Sequence, residues 1–401
     1  MTRRETANLS HPASSMPGKT SPVPDSLPQT EAFFLEKSAQ GRADIHHHIL
    51  PLTNSIFQPG HVMEFINDMP NADQKALALA ECHFFQGKAS AASAESSKLL
   101  RHSDPMLRLS ANLIYGLSNL SLGYTPMALQ ALRQIDSIVQ FVLDQHQEPN
   151  DPQEQQQAYL FGQLINSLMR RPNTLEMPFT LSQDPELNGF RVIVIYSVAY
   201  QVALSGEAER ALGMIESVLA YSQEQYVIPR IYSYLMMAIS FINLNRIEEA
   251  KEAFMKAWEI AKPDMLLHPF AQHHSLLCGL VEVCLKSDEP QMYRRITAMS
   301  YVFGASWRQM HHGSADDDLV SSLTAMEYSI AMLAAKKWKV REIAGYMKIS
   351  EGYTKKMLSG IYIKLGVSSR DEMLSSWFSN TEKNEHDGQG AVFLFLGIRF
   401  L

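Results

Sequence analysis

Residues 323–370 read LTAMEYSIAMLAAKKWKVREIAGYMKISEGYTKKMLSGIYIKLGVSSR, and local chemistry divides them into helices. Thr324 stands three residues before Glu327, the capping-box pattern that starts a helix at Ala325. Ile330, Leu333 and Ala334 give that helix an apolar face. A turn over Lys336–Lys339 leads into a short helix, Val340 to Met347, whose buried side is Ile343, Ala344 and Met347. Lys348-Ile349 makes the next turn, and Ser350 suits the N-cap of a third helix. On that helix Thr354, Leu358, Ile361 and Leu365 fall at i, i+4, i+7 and i+11, one apolar stripe. Gly366 is a C-terminal stop, and Ser369 with Glu372 predicts a second capping box, opening a fourth helix through Met373, Leu374 and Trp377.

Two short helices joined by a tight turn and braced by a third form a helix-turn-helix, whose second member is placed to enter a DNA major groove. The outward side of that member carries Gly352, Tyr353, Lys355, Lys356 and Ser359, with Ser350 at its start and Lys364 near its end. Small residues allow close approach, cations meet phosphate or guanine, and hydroxyls orient. Lys364 reads either as a phosphate contact or as a partner for the last helix carbonyls. Residues 323–370 hold nine Lys+Arg against three Asp+Glu, whereas the rest of the chain holds 26 against 39. A basic module of charge +6 thus sits on an acidic body of charge −13.

The segment resembles the LuxR-type carboxy-terminal DNA-binding domain. The residues that carry the resemblance are Leu323-Thr324, Glu327, Ile330, Leu333, Ala335, Glu342-Ile343-Ala344, Met347, Ile349-Ser350, Lys355, Ile361, Lys364-Leu365-Gly366-Val367 and Arg370, in register over 48 residues. The resemblance implies a four-helix unit at 323–378, binding to double-stranded DNA, and dimerisation on DNA partly through the fourth helix, here Arg370 to Phe378. The chain departs from the family at Met326, where Arg is usual, at Lys337, where Gly is usual, and at Lys339, where a Ser- or Thr-like cap is usual. It also reads Tyr353-Thr354-Lys355 in place of Thr-Val-Lys.

Upstream, residues 31–310 show helical periodicity almost throughout, and the helices fall into pairs that resemble tetratricopeptide repeats. In the clearest pair Tyr234, Met237, Ala238 and Phe241 hold the first-helix positions, and Ala250, Phe254 and Ala257 the second. Small residues there let helices approach, and Phe254 fills the gap to the next pair. A weaker copy has Ile195, Val198, Ala199 and Val202, then Ala211, Ile215 and Val218; another has Tyr115, Gly116 and Asn119, then Ala128, Leu132 and Ile135. Residues 76–100 and 270–300 read as degenerate pairs, and Val192–Ala203, rich in Val, Ile and Tyr, as a buried helix rather than a strand. The expected fold is all-α: an irregular TPR-like solenoid followed by the helix-turn-helix domain. Repeats of this kind present a concave face to peptides, proteins or small molecules.

Residues 1–30 read as a disordered tail, 311–322 as a hinge containing Asp316-Asp317-Asp318, and 379–401 as a second tail. Opposite charges allow the body to mask the module's DNA-binding face; alternatively the aspartates only keep a linker solvated. Ala13–Thr20 has the order of a relaxed P-loop, but prolines on both sides deny it the strand and helix that phosphate binding requires. Nucleotide binding is not expected. Cys82, Cys278 and Cys284 have neither a disulfide framework nor zinc spacing, and His46-His47-His48 point in different directions on a helix, so no metal is expected. Most of the 21 methionines read as core filling. No apolar run reaches the roughly 18–20 residues of a membrane span; the start of the chain lacks a signal-peptide core, and a reducing cytoplasm is the simplest compartment.

Together these features predict a bacterial transcriptional regulator, not an enzyme, with no cofactor. Its repeat body senses an unidentified effector or protein partner, and its module binds operator DNA, with a homodimer on a two-fold operator expected. The alternative is a repeat scaffold whose degenerate helix-turn-helix serves protein contacts.

Overall fold

The computed structural model describes residues 49–144, 152–169, 187–222, 225–312 and 323–373. Among them the regular structure is entirely helical. The tails expected at 1–30 and 379–401, the histidine triplet and the P-loop-like stretch lie outside the described residues. So does the expected hinge, apart from His311 and His312, which end a long helix.

The helices of the body are α1 (Val62–Asn67), α2 (Ala72–Phe85), α3 (Ala89–Ser97), α4 (Pro105–Ser121), α5 (Thr125–Leu143), α6 (Pro152–Leu168), α7 (Asn188–Leu204), α8 (Ala208–Ser222), α9 (Val227–Asn243) and α10 (Ile247–Ala261). A 3-10 turn at Lys262–Asp264 follows, then α11 (His268–His273), α12 (Leu280–Leu285) and α13 (Pro290–His312). The last segment holds α14 (Ala325–Ala335), α15 (Val340–Tyr346) and α16 (Glu351–Leu365). Val192–Ala203 lies within α7, as its length predicts.

Within the body one turn joins four pairs of packed helices. Gly87, Gly123, Gly206 and Asn245 take φ of 76°, 83°, 89° and 60°. In each case the next residue's amide reaches back to the carbonyl five positions earlier: Lys88 to His83, Tyr124 to Asn119, Glu207 to Val202 and Arg246 to Phe241, at 2.8 to 3.2 Å. This is the left-handed helix stop, open to Gly without penalty and to Asn at small cost. Five residues after each stop stands an alanine with no exposed surface: Ala92, Ala128, Ala211 and Ala250. A methyl group at that point lets the second helix lie close on the first. At Gly116 on α4 the approach is closer still, since an added Cβ would stand 3.3 Å from the Ala131 Cβ. Ala238, Phe254 and Ala257 are likewise fully buried. Burying a side chain such as Phe254 contributes about 1.5–3 kcal/mol.

Two acidic side chains inside this body are held by backbone donors. Glu81 on α2 is fully buried and accepts the Leu52 and Thr53 amides at 2.9 and 3.0 Å and the Thr53 hydroxyl at 2.6 Å. Burial pushes its carboxyl up to about 7, against the pull of those hydrogen bonds. Asp264 accepts from the amides of Gly60 and Val62, tying the start of α1 to the 3-10 turn.

The main apolar cluster includes residues from Ile49 to Met373, with two smaller clusters around Trp307 and Leu107. Every residue of α14 from Glu327 to Ala335 is buried, because the helix packs on the body with one side and on α15 and α16 with the other. Its Met332 and Lys336 meet Tyr200, Met236 and Cys278 around a void of only about 10 Å³. Lys336 donates to the Asn243 side chain at 2.6 Å. Lys348 reaches the Val283 carbonyl at 3.4 Å, and Gly279, at φ 90°, passes so close to Met347 that an added Cβ would lie 2.5 Å from its Sδ. The basic segment is therefore seated on the body through apolar surface.

Candidate nucleic-acid interface

The predicted caps at Thr324 and Ser350, the buried stripe and the stop at Gly366 are found where the sequence puts them. Thr324 accepts the Glu327 amide at 3.3 Å while the Glu327 carboxylate accepts the Thr324 amide at 2.8 Å. Ser350 caps α16, its Oγ accepting the Tyr353 amide at 3.2 Å, and Gly366 ends the helix at φ 66°. Thr354, Leu358, Ile361 and Leu365 form its buried stripe. Thr354 stands in the core without an unmet hydroxyl, because Oγ1 donates to the Ser350 carbonyl at 3.0 Å.

The unusual residues of this segment have structural readings. Lys337 takes φ 63° and Lys348 takes φ 54°, left-handed positions at the two turns that flank α15. At Lys339 the cap is one-sided: its amide donates to the Glu342 carboxylate at 2.6 Å, and a lysine side chain offers no acceptor in return. The predicted Ser369–Glu372 box is shifted. Ser369 accepts the Glu372 amide at 3.1 Å, but the carboxylate returns to the Ser368 amide at 2.7 Å. The backbone is helical at 370–373; Leu374, Trp377 and Phe378 lie outside the described residues.

On the opposite side of α16 from its core stripe, Gly352, Lys355, Lys356, Ser359 and Ile363 recur at i, i+3, i+4, i+7 and i+11, all exposed. Tyr353 flanks them at 47 % exposure, and Ser350 opens the row. The described body does not cover this stripe; it holds α14 and the turn after α15 instead. The charge asymmetry alone would allow the body to mask the face, but apolar contact decides the docking. Ser359 donates to the Lys355 carbonyl at 3.1 Å and keeps its oxygen outward as an acceptor.

Lys364 is engaged within the chain. Its ammonium binds the Glu327 carboxylate at 2.7 Å and fastens α16 to the start of α14. Burial alone would raise the Glu327 carboxyl, but Lys364 and the Thr324 hydrogen bonds overcome it and hold the group below its usual value. Arg370 donates to the Trp338 carbonyl at 2.9 Å. Lys339 and Arg341 add exposed positive charge to the same segment.

One feature of the stripe, Ile363, escaped the sequence reading, and Gly352 gains a structural detail. Ile363 is 80 % exposed, a large apolar side chain on a polar face. Gly352 and Gly360 have open space where a Cβ would stand, so internal packing does not require them. A glycine inside a helix costs about 1 kcal/mol relative to alanine. At Gly352, on the exposed stripe, no contact within the chain accounts for that cost.

Among the described residues no group of three or more His, Cys, Asp or Glu is placed to hold a metal ion, and no helix is long and apolar enough to cross a membrane. No known protein family, curated protein or solved structure matches this chain.

Proposed function

We propose that this chain is a DNA-binding transcriptional regulator in which 323–378 is a LuxR-type helix-turn-helix unit and the upstream body is a TPR-like sensor. The observation that carries the reading is the outward row of α16. It joins a glycine that packing does not demand, two exposed lysines and a hydroxyl on one face of a helix whose other face is core. In a major groove Gly352 permits approach, Lys355 and Lys356 reach phosphate or guanine, and Ser350, Tyr353 and Ser359 orient. Lys364 contributes to this site by holding α16 on α14. The helix pairs with their recurrent Gly/Asn stop and buried alanine support the repeat reading of the body.

One recognition helix reads only a few base pairs, so the proposal includes a homodimer on a two-fold operator. Selection of duplexes from random DNA by the full chain tests it. The expected consensus is an inverted repeat with half-sites about one helical turn apart; recovery of no enriched duplex sinks the proposal. A second reading, a scaffold whose three-helix unit serves protein contacts, is favoured by one observation: α14 is buried in the body as a structural helix. That reading predicts no enriched duplex at all.

A further inference from the structure

Seven helices of the body, α2, α4, α6, α7, α9, α11 and α13, converge on a cavity of about 110 Å³, far larger than one water requires. Its lining is overwhelmingly apolar, with Leu113 and Ile193 among the aliphatic residues. One wall is an aromatic cluster around His273. The rings of Tyr196, Tyr232 and Tyr200 stand edge-on to the imidazole with centroids 5.8, 5.6 and 6.2 Å away. Another wall is the stacked pair Phe303 and Trp307, with centroids 5.6 Å apart.

The polar atoms of the cavity fix the chemistry it accepts. His273 Nδ1 faces the Pro269 carbonyl at 2.7 Å, and a carbonyl only accepts, so Nδ1 carries the proton. Burial holds the imidazole neutral by lowering its pKa to about 4, so Nε2 is an acceptor. Tyr196 therefore donates its hydroxyl to His273 Nε2, and Tyr232 donates to the Gln272 side-chain oxygen. Both phenol protons are used inside the wall, which leaves each phenol oxygen as an acceptor. No Asp, Glu, Lys or Arg lines the cavity among the described residues. A charged guest would lose its hydration without a counter-ion. A void of this size also weakens a packed core in proportion to its volume, so an apolar guest that fills it stabilises the fold.

We infer that the cavity is a binding site for a small, neutral, ring-bearing molecule that carries at least one hydroxyl or N–H donor, directed at the phenol oxygens of Tyr196 and Tyr232. This names the effector class for the sensing half of the proposed function and rests on that half alone. Tyr200 links the site to the module, since it lines this cavity and also the small void against Met332 and Lys336 of α14.

The test is direct binding to the full chain without DNA, followed by calorimetry and thermal shift. The probes are 2-naphthol, naphthalene and 2-naphthoate. The expected result is saturable one-to-one binding of 2-naphthol with a rise in Tm, weaker binding of naphthalene and none of 2-naphthoate. Tyr232→Phe keeps the ring and removes the acceptor, so it weakens 2-naphthol roughly three- to tenfold and leaves naphthalene unchanged. Leu117→Trp fills the cavity and abolishes binding of both; circular dichroism checks that each variant folds. Failure of 2-naphthol to saturate, equal binding of 2-naphthoate, or a Tyr232→Phe protein that discriminates as the parent does would overturn the inference. Duplex binding by the same preparation keeps the two readings apart. Naphthol binding without duplex binding defeats only the DNA reading, and duplex binding without naphthol binding defeats only this one.

Discussion

Acid sensitivity of the body can be worked out from three buried groups. His268 and His273 are fully buried, and burial lowers them to about 3 and about 4. Each is depressed relative to an unfolded value near 6.5, so each contributes stability that is present above pH 6.5 and is lost as pH falls toward the folded value. At pH 5 the loss is about 2 kcal/mol per histidine by linkage. Glu81 runs the other way. Its carboxyl is raised to about 7, so its contribution is complete below about 4.5 and disappears as pH rises through 7. Between pH 7.5 and 5 it returns about 2 kcal/mol. The net expectation is a loss of about 2 kcal/mol. Urea unfolding at the two pH values measures it, and variants separate the parts. Glu81→Gln removes the opposing contribution and roughly doubles the loss, whereas His273→Asn removes one histidine and nearly abolishes it. Other titrating groups cancel when the pH difference of each variant is compared with that of the parent. An unchanged pH difference in His273→Asn would refute the argument that this histidine is held neutral by burial.

Lys337→Gly places the residue without a Cβ at φ 63° and should stabilise the protein by about 0.5–1 kcal/mol in urea unfolding. Gly279→Ala forces a side chain into φ 90° and into Met347, so the same assay should show a loss of about 1–3 kcal/mol. Gly352→Ala should be neutral or stabilising by up to about 1 kcal/mol while weakening duplex binding in an anisotropy titration. A Gly352→Ala protein with parental DNA affinity would show that the open glycine does not serve close approach.

The sequence makes residues 323–373 legible because their signals are local. A cap, a stripe and a glycine stop each involve side chains within one or two turns, and Thr324, Ser350 and Gly366 all behave as their positions predict. Lys337 and Lys348 were less transparent, since a left-handed lysine carries no mark in the sequence. In the body, Ala128, Ala211 and Ala250 were legible as second-helix repeat positions, whereas Ala92 and the Gly or Asn stop five residues before each alanine were not read. What local pattern does not show is contact between distant segments. The approach of α14 to the end of α9 brings Lys336 to Asn243, 93 positions away. The cavity depends on Tyr196 meeting His273, 77 positions away. Lys364 could be read as a phosphate ligand because the sequence does not place it beside Glu327, 37 positions earlier.

The central claim is that the exposed row of α16 meets the phosphates and bases of duplex DNA. The full chain is titrated with a selected duplex from 50 to 300 mM salt, beside the Lys355→Ala, Lys356→Ala double variant. The parent should bind with an affinity that falls linearly on a log–log plot, and each lysine that neutralises a phosphate should contribute roughly −0.9 to the slope. The double variant should bind more weakly at low salt and show a slope shallower by up to about 2. A parent that binds no duplex at 50 mM salt, or a double variant with the parental affinity and slope, would contradict the account.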